Sequence, residues 1–486
     1  MAAREYSLII DGVPVEPSSR YDIVNPATEE VVAEAPEASV EQARAAVESA
    51  AAALPAWSRT RPEERAALLD RAADLIDAAA DELVPLVQAE TGATYRTTKT
   101  IQVPQAAARL RRYAKGALEA TLDPLPPAVM PATVLAPGGV VNAAANRVPV
   151  GVVSCITSYN FPMVNMAGKI GPALAMGNTV VVKPAPQDPL AVFRMVELLQ
   201  EAGFPPGVVN VVGGTGIPAS EAIVDHPQTD MVSFTGSTGV GRRIGEVAGG
   251  QMKRLLLELG GKGACLVFDD ADLKAAIGGI ASVWGFHSGQ ICTAPTRVIV
   301  HRSVHDQLVE GLKGAAAFMK VGPPTEKDTV VGPVITDVHR GRIEGYIAAG
   351  LAEGAEAAVG GGRPEGLDTG FYVEPTLLVG CDNTMTPVRE EIFGPVVVVV
   401  PFDDEDEAVA IANDSDFGLY SYVFSGDTSR AWSVATQLRS GVVGINTIQR
   451  NHEAPFGGFK QSGVGRDGGS YGLLAYSEVQ GLIWPS

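Results

Sequence analysis

The sequence predicts an α/β protein built on parallel, doubly wound sheets, and three observations carry that reading. From Val150 to Gly249, short β-branched runs alternate with amphipathic stretches of ten or so residues, the pattern of strands joined by crossover helices. A second series of the same kind runs from about Gly260 to Val443. At 486 residues the chain is also too long for a single core, so two or three domains are expected.

The elements follow in order. Residues 1–35 read as short strands and turns, with Ile9-Ile10-Asp11-Gly12 as a hairpin signal. Helical spacing of apolar residues then dominates Ser39–Leu54, Arg61–Glu90 and Ile101–Ala120. Pro124-Leu125-Pro126-Pro127 breaks that pattern, and β-branched alternation around a Pro-Gly-Gly turn predicts a projecting β-ribbon up to Val150. In the first α/β series, strands are expected at Val150–Ile156, Thr179–Lys183, Val208–Val212 and Met231–Thr235. The helices between and after them are Phe161–Met176, Leu190–Ala202, Ala219–Val224 and Val240–Gly249. In the second series, strands are expected near Cys265–Phe268, Arg297–His301, Val396–Phe402 and Ser421–Phe424. The acidic run Asp403–Glu407 reads as a solvated helix start, where the dipole favours carboxylates, rather than a metal site.

Composition narrows the function. A net charge of −19 argues against nucleic-acid and anionic-membrane partners. Cys155, Cys265, Cys292 and Cys381 do not read as a disulfide framework, and no metal-binding spacing of cysteine or histidine occurs. The run Met1–Ile10 is too short in apolar residues for a signal peptide, and no stretch of eighteen apolar residues occurs. A cytoplasmic location is the expectation.

Two segments carry chemistry. Cys292 lies in Gly289-Gln290-Ile291-Cys292-Thr293-Ala294-Pro295, a small-residue, Gly-flanked context. Glu258, thirty-four positions earlier, sits in Leu256-Leu257-Glu258-Leu259-Gly260-Gly261. A thiol and a carboxylate in an apolar setting suggest a nucleophile with a remote base. Burial would raise the carboxyl pKa towards neutrality, where a base is most useful. Asn160, in Tyr159-Asn160-Phe161-Pro162, opens a helix; it suits either an N-cap or an oxyanion donor. Phe234-Thr235-Gly236-Ser237-Thr238-Gly239 is a strand–glycine loop–helix junction, equally a tight turn or a phosphate cradle. Lys183, before Pro184-Ala185-Pro186, ends a strand and by itself reads as a strand-end cation.

With these motifs in this order, the chain resembles the aldehyde dehydrogenases over essentially its whole length, from Asn25-Pro26-Ala27-Thr28 to the last strand. The resemblance implies that Cys292 is the nucleophile, that Asn160 donates to the substrate oxygen, and that Glu258 activates the hydrolytic water. It also implies NAD or NADP as cofactor, with Ser237 on the pyrophosphate and Lys183 on the adenosine ribose. Tyr159, Gly216, Gly236, Leu259 and Gly260 would lie along the dinucleotide. In Glu390-Glu391-Ile392-Phe393-Gly394-Pro395, Glu391 and Phe393 would hold the nicotinamide ribose and ring.

The chain departs from the family pattern at two places. Ser158-Tyr159 replaces the usual Pro-Trp, and Pro186 stands where many members carry a ribose-binding Glu. The second change removes a repulsion against a 2′-phosphate, so NADP stays open although NAD is slightly favoured. Presence of Glu258 argues against a CoA-acylating enzyme, because relatives of that type generally lack it. A catalytically silent binding homologue is the alternative from another class.

For the small-molecule aldehyde itself, the resemblance places Phe161, Asn165, Gly168, Phe286, His287, Ile291, Thr293 and Phe456 along the tunnel. Gly168 would leave room for a larger aldehyde, and the absence of Arg from these positions disfavours a dicarboxylic semialdehyde. The segment Pro455–Gly463 would close the substrate entrance. The expected domains are a Rossmann-like dinucleotide-binding unit (residues 1–123 and 149–258), an α/β catalytic unit (259–458) and a small β-ribbon oligomerisation unit (124–148 and 459–486). The ribbon and the terminal strand Tyr476–Ile483 would form a homodimer or homotetramer, since their edges need partners.

Overall fold

The computed structural model describes residues 4–486, and the first three residues of the expected Met1–Ile10 segment lie outside that range. Two large sheets dominate. The first has eight strands in the order 463–464, 254–258, 231–235, 152–156, 179–183, 209–211, 8–10 and 13–15. Its five central strands run parallel, and the outer ones are antiparallel. Strand Thr179–Lys183 is buried along its whole length, as a parallel strand covered by helices on both faces must be. The hairpin Leu8–Val15 turns at Asp11 and Gly12, both with positive φ, the geometry its Asp-Gly signal calls for.

The chain order reverses between strands Val152–Ile156 and Met231–Thr235, which are neighbours although two strands separate them in sequence. Such a reversal opens a crevice at the carboxyl ends of the strands. Tyr159, Asn160, Gly236 and Ser237 all lie just past those ends.

The second sheet has seven strands in the order 356–359, 376–379, 396–402, 297–301, 264–267, 420–424 and 442–445. All pair in parallel except Glu356–Val359. Here the residues of interest precede the strands: Gly260–Gly263, Gly289–Thr296 and Glu390–Pro395 each lead into one. The site is therefore built from the carboxyl ends of one sheet and the amino ends of the other.

A three-stranded antiparallel sheet joins Leu122–Met130, Gly139–Pro149 and Ser477–Pro485. Val129, Val134, Leu135 and Ile483 are exposed on this appendage. Asp404 caps helix Glu405–Asn413 by accepting from the Glu407 N–H at 2.9 Å, so the acidic run is a helix start. Among the described residues no cluster of potential metal ligands occurs. Among the described residues no helix is long and apolar enough to cross a membrane. The sequence reading does not separate out strand Arg254–Glu258, or the π-helical turn Thr98–Gln102 at the start of the Ile101–Ala120 helix.

Candidate active site

Cys292 is the one cysteine of four that is not buried. It stands at the wall of a cavity of about 220 Å³ shared with Glu258, Asn160, Phe161 and Glu391. The loop that carries it is held on both sides. Asn160 Nδ2 donates to the Gln290 carbonyl at 2.9 Å, and the Tyr422 hydroxyl donates to the Thr293 carbonyl at 2.7 Å. The Gln290 side chain accepts from the Ile335 N–H at 3.1 Å. His287 and Ser288 take up left-handed backbone angles just upstream, a strained turn that these hydrogen bonds hold in place.

Asn160 is 3% exposed, and its amide is fixed from both ends. Its Oδ1 accepts from the Ser158 hydroxyl at 2.8 Å, and its backbone carbonyl accepts from Gln102 Nε2 at 2.9 Å. Glu258 is 5% exposed, and neither of its carboxylate oxygens has a hydrogen-bond partner in the protein. Burial pushes its pKa well above the usual carboxylate value, and Asp467 pushes it further, against Lys169, Arg450 and Arg466. The Cys292 thiol is pushed up to about 12 by burial, and Arg450 pulls it back down. Cationic groups oppose both shifts.

Glu391 reaches Gly261 from the opposite wall, accepting its N–H at 2.8 Å. Burial raises its pKa to about 7. A side chain at Gly260 would run into the Glu391 carboxylate, which explains a glycine there. Phe393 holds a positive φ of 59° and meets Tyr159 edge-on at 5.9 Å between ring centroids. His339 Nε2 donates to the Phe393 carbonyl at 2.7 Å, which pins that turn.

A second cavity of about 860 Å³ adjoins the first through Ser158, Tyr159, Thr235, Gly236 and Ser237. It is mostly apolar, with Lys183 and Pro186 at one side and Val240 and Ile244 at the other. Ser237 caps the helix Thr238–Gly250 there, accepting from the Val240 N–H at 3.4 Å. The helix start is a natural anion site. Lys183 is buried and donates to the Gly214 carbonyl at 2.9 Å; burial lowers its pKa to about 8.

The sequence pattern of the Aldehyde dehydrogenase family matches residues 14–482. The chain belongs to that family. A betaine aldehyde dehydrogenase of Brucella melitensis is 44% identical over 342 residues, covering 70% of each chain. The structure superposes on a putative aldehyde dehydrogenase of Burkholderia cenocepacia with a TM-score of 0.92, at 38% identity over 99% of this chain and 97% of that one. It also superposes on the betaine aldehyde dehydrogenase of Staphylococcus aureus solved with NAD+, with a TM-score of 0.94. Identity there is 36%, over 99% of this chain and 95% of that one.

Most residues expected from the family resemblance line the two cavities. Cys292, Glu258, Asn160, Phe161, Asn165, Ile291, Thr293 and Phe456 face the first, as do Leu259, Gly260, Glu391 and Phe393. Gly216 does not line the second cavity, although Thr215 and Ile217 beside it do; its N–H is taken by Glu37 at 2.8 Å. Phe286 and His287 are displaced from the substrate wall. Phe286 stacks on Phe161 at 6.2 Å and His287 lies against the same ring at 5.2 Å, so they back it.

The structure differs from the expectation at Gly168 and adds to it at the cavity wall. Gly168 leaves no room for substrate, because the Arg109 guanidinium occupies the space where its Cβ would be. Arginine is also present: Arg109 and Arg450 both line the cavity, with Lys169 and Asp467. Reading the sequence misses this set because Arg109 arrives from a helix far upstream and Arg450 from a loop without a motif. The usable signal is Gly168 itself, a glycine inside a helix, which often marks close approach of another chain segment.

Proposed function

We propose that the protein oxidises an aldehyde to its carboxylic acid with NAD+ or NADP+. The observation that carries this reading is the convergence of Cys292, Glu258 and Asn160 on one cavity, with both oxygens of Glu258 free of protein partners. The cavities fit a dinucleotide, since a glycine cradle at Gly260 lets Glu391 approach and a capped helix start at Ser237 faces the larger space. Ser237 and Lys183 would hold the pyrophosphate and adenosine ribose, and Glu391 and Phe393 the nicotinamide end. When bound, the oxidised nicotinamide supplies the hydride acceptor. NAD+ is the first choice because the Staphylococcus aureus relative was solved with it.

Cys292 Sγ, as thiolate, attacks the aldehyde carbon and gives a thiohemiacetal oxyanion. The Asn160 amide, with the Cys292 backbone N–H, stabilises that charge from a fixed position, an arrangement worth roughly two to three powers of ten in rate. Loss of hydride from the same carbon leaves a thioester on Cys292. Glu258 takes a proton from water as that water attacks the thioester carbon, and collapse releases the acid and the Cys292 thiolate. A carboxylate whose lone pairs no protein donor engages suits that water; one already engaged in hydrogen bonds would not.

The proposed division of labour is residues 1–123 and 149–258 for the dinucleotide, 259–458 for catalysis, and 124–148 with 459–486 for assembly. The exposed apolar residues of the small sheet support a homodimer or homotetramer, and we place the enzyme in the cytoplasm.

The test is reduced-nicotinamide formation with a panel of aldehydes, using NAD+ and NADP+, with and without CoA. CoA-independent turnover that vanishes in Cys292→Ala is expected. A strict requirement for CoA would replace the hydrolytic reading by acyl transfer, and no dinucleotide binding would leave only a silent homologue.

A further inference from the structure

The neck of the substrate tunnel carries more positive charge than its neighbours neutralise. Arg450 stands at the wall of the reaction cavity, and among the described residues its guanidinium has no carboxylate or hydrogen-bond partner. Its contact is the face of Phe456, 4.1 Å from the ring centroid. The nearest carboxylate to Arg109 is Asp467, with Nη1 to Oδ2 at 3.7 Å, too long for a hydrogen bond. Lys169 adds a third cation; it is buried and donates to the Ser233 hydroxyl at 3.1 Å. Against these three cations stand two carboxylates on the same wall, Asp467 and Glu258.

Arg109 packs over a glycine. Its guanidinium crosses helix Pro162–Ala175 at Gly168, where any Cβ would collide with it. A further cavity of about 300 Å³ lies outside the first and shares Arg109, Arg450, Phe456 and Asp467 with it. The two guanidiniums therefore stand between an outer mouth and the Cys292 chamber. Phe161, Ile291 and Phe456 give the chamber that holds the thiol an apolar part to its wall. Arg450 is exposed and Arg109 half-buried, and guanidiniums with unfilled donors at a cavity mouth suit a carboxylate, which their planar fork can take through two hydrogen bonds.

We infer that the substrate is an aldehyde carrying a carboxylate at its far end, joined through an apolar or aromatic spacer, with Arg450 and Arg109 as the carboxylate-binding residues. This rests on the aldehyde oxidation proposed above. It also separates this chain from its betaine aldehyde dehydrogenase relatives, whose named substrate carries a quaternary ammonium that these cations would repel. Arg450 has a second effect, since its charge favours the Cys292 thiolate; a bound carboxylate would offset part of it.

The experiment compares kcat/KM for 4-carboxybenzaldehyde, its methyl ester and betaine aldehyde. Preference for the carboxylate over the ester is expected on the order of tenfold to a hundredfold, the range of a hydrogen bond to a charged group. The ratio should collapse in Arg450→Gln and fall in Arg109→Gln, mainly through KM for the carboxylate. Should either variant fail to fold, inhibition of the unaltered enzyme by terephthalate, against its weaker inhibition by the dimethyl ester, reads the same site. Equal use of carboxylate and ester, or preference for betaine aldehyde, overturns this inference and leaves aldehyde oxidation standing. No turnover of any aldehyde overturns both.

Discussion

The two ends of the substrate cavity are encoded in different ways. The reacting end is written in contiguous segments: Cys292 in its loop, Glu258 at a strand end, and Asn160 where a strand turns into a helix. The neck is assembled from Arg109, Gly168, Arg450 and Asp467, which share no motif and come from three distant parts of the chain. The reacting end needs particular functional groups in fixed backbone settings, so local sequence records it. The neck needs only charge at a place, and several side chains could deliver it. On the proposed reading, chemistry belongs to the first region and selectivity to the second.

The sharpest way to break that division is at the thiol. Cys292→Ala should remove turnover of every aldehyde, by at least three orders of magnitude on the scale of lost nucleophiles, measured by reduced-cofactor formation. Cys155→Ala should leave the rate close to the original, because Cys155 is buried and burial holds its thiol up at about 12 with no place on the cavity wall. Next in size is Asn160→Ala, expected to lower kcat about a hundredfold for carboxylate and neutral aldehydes alike. An effect confined to one substrate would move Asn160 from the chemistry to the neck.

The pH profile comes third. Glu258 must be ionised to act as base, and its pKa lies above the ordinary carboxylate value. Hydrolysis should therefore rise with pH through that elevated pKa and be lost as pH falls below it. The thiol, pushed up to about 12 in the free pocket, moves the acylation limb in the same alkaline direction. In Glu258→Gln the limb belonging to hydrolysis should disappear. The smallest change is Gly168→Ala, which displaces Arg109. It should reduce carboxylate selectivity by a few-fold, within about 1 kcal/mol, and spare the reacting end.

The same contrast explains what could be read from the chain beforehand. The alternating strands and helices from Val150 to Gly249 match the first sheet to within a residue or two, because fully buried parallel strands leave unmistakable β-branched runs. Cys292, Glu258 and Asn160 meet at one cavity because the carboxyl ends of the first sheet's strands, which carry Asn160 and Glu258, meet the amino ends of the second sheet's strands, which carry Cys292. The tunnel was not legible. Gly168 reads as an empty space in the sequence, and only the path of Arg109 across it reverses the meaning. Phe286 and His287 sit beside the nucleophile loop in sequence, yet the left-handed turn at His287 and Ser288 leaves them packed behind Phe161.

The most direct test of the central claim is a rapid-mixing measurement of reduced cofactor in Glu258→Gln. Acylation needs Cys292 and Asn160, whereas release needs water activated at Glu258. A burst of about one equivalent per active site, followed by a steady state slowed by two or more orders of magnitude, is the predicted result. A steady-state rate equal to that of the unaltered enzyme would contradict the role given to Glu258 and the account built on it.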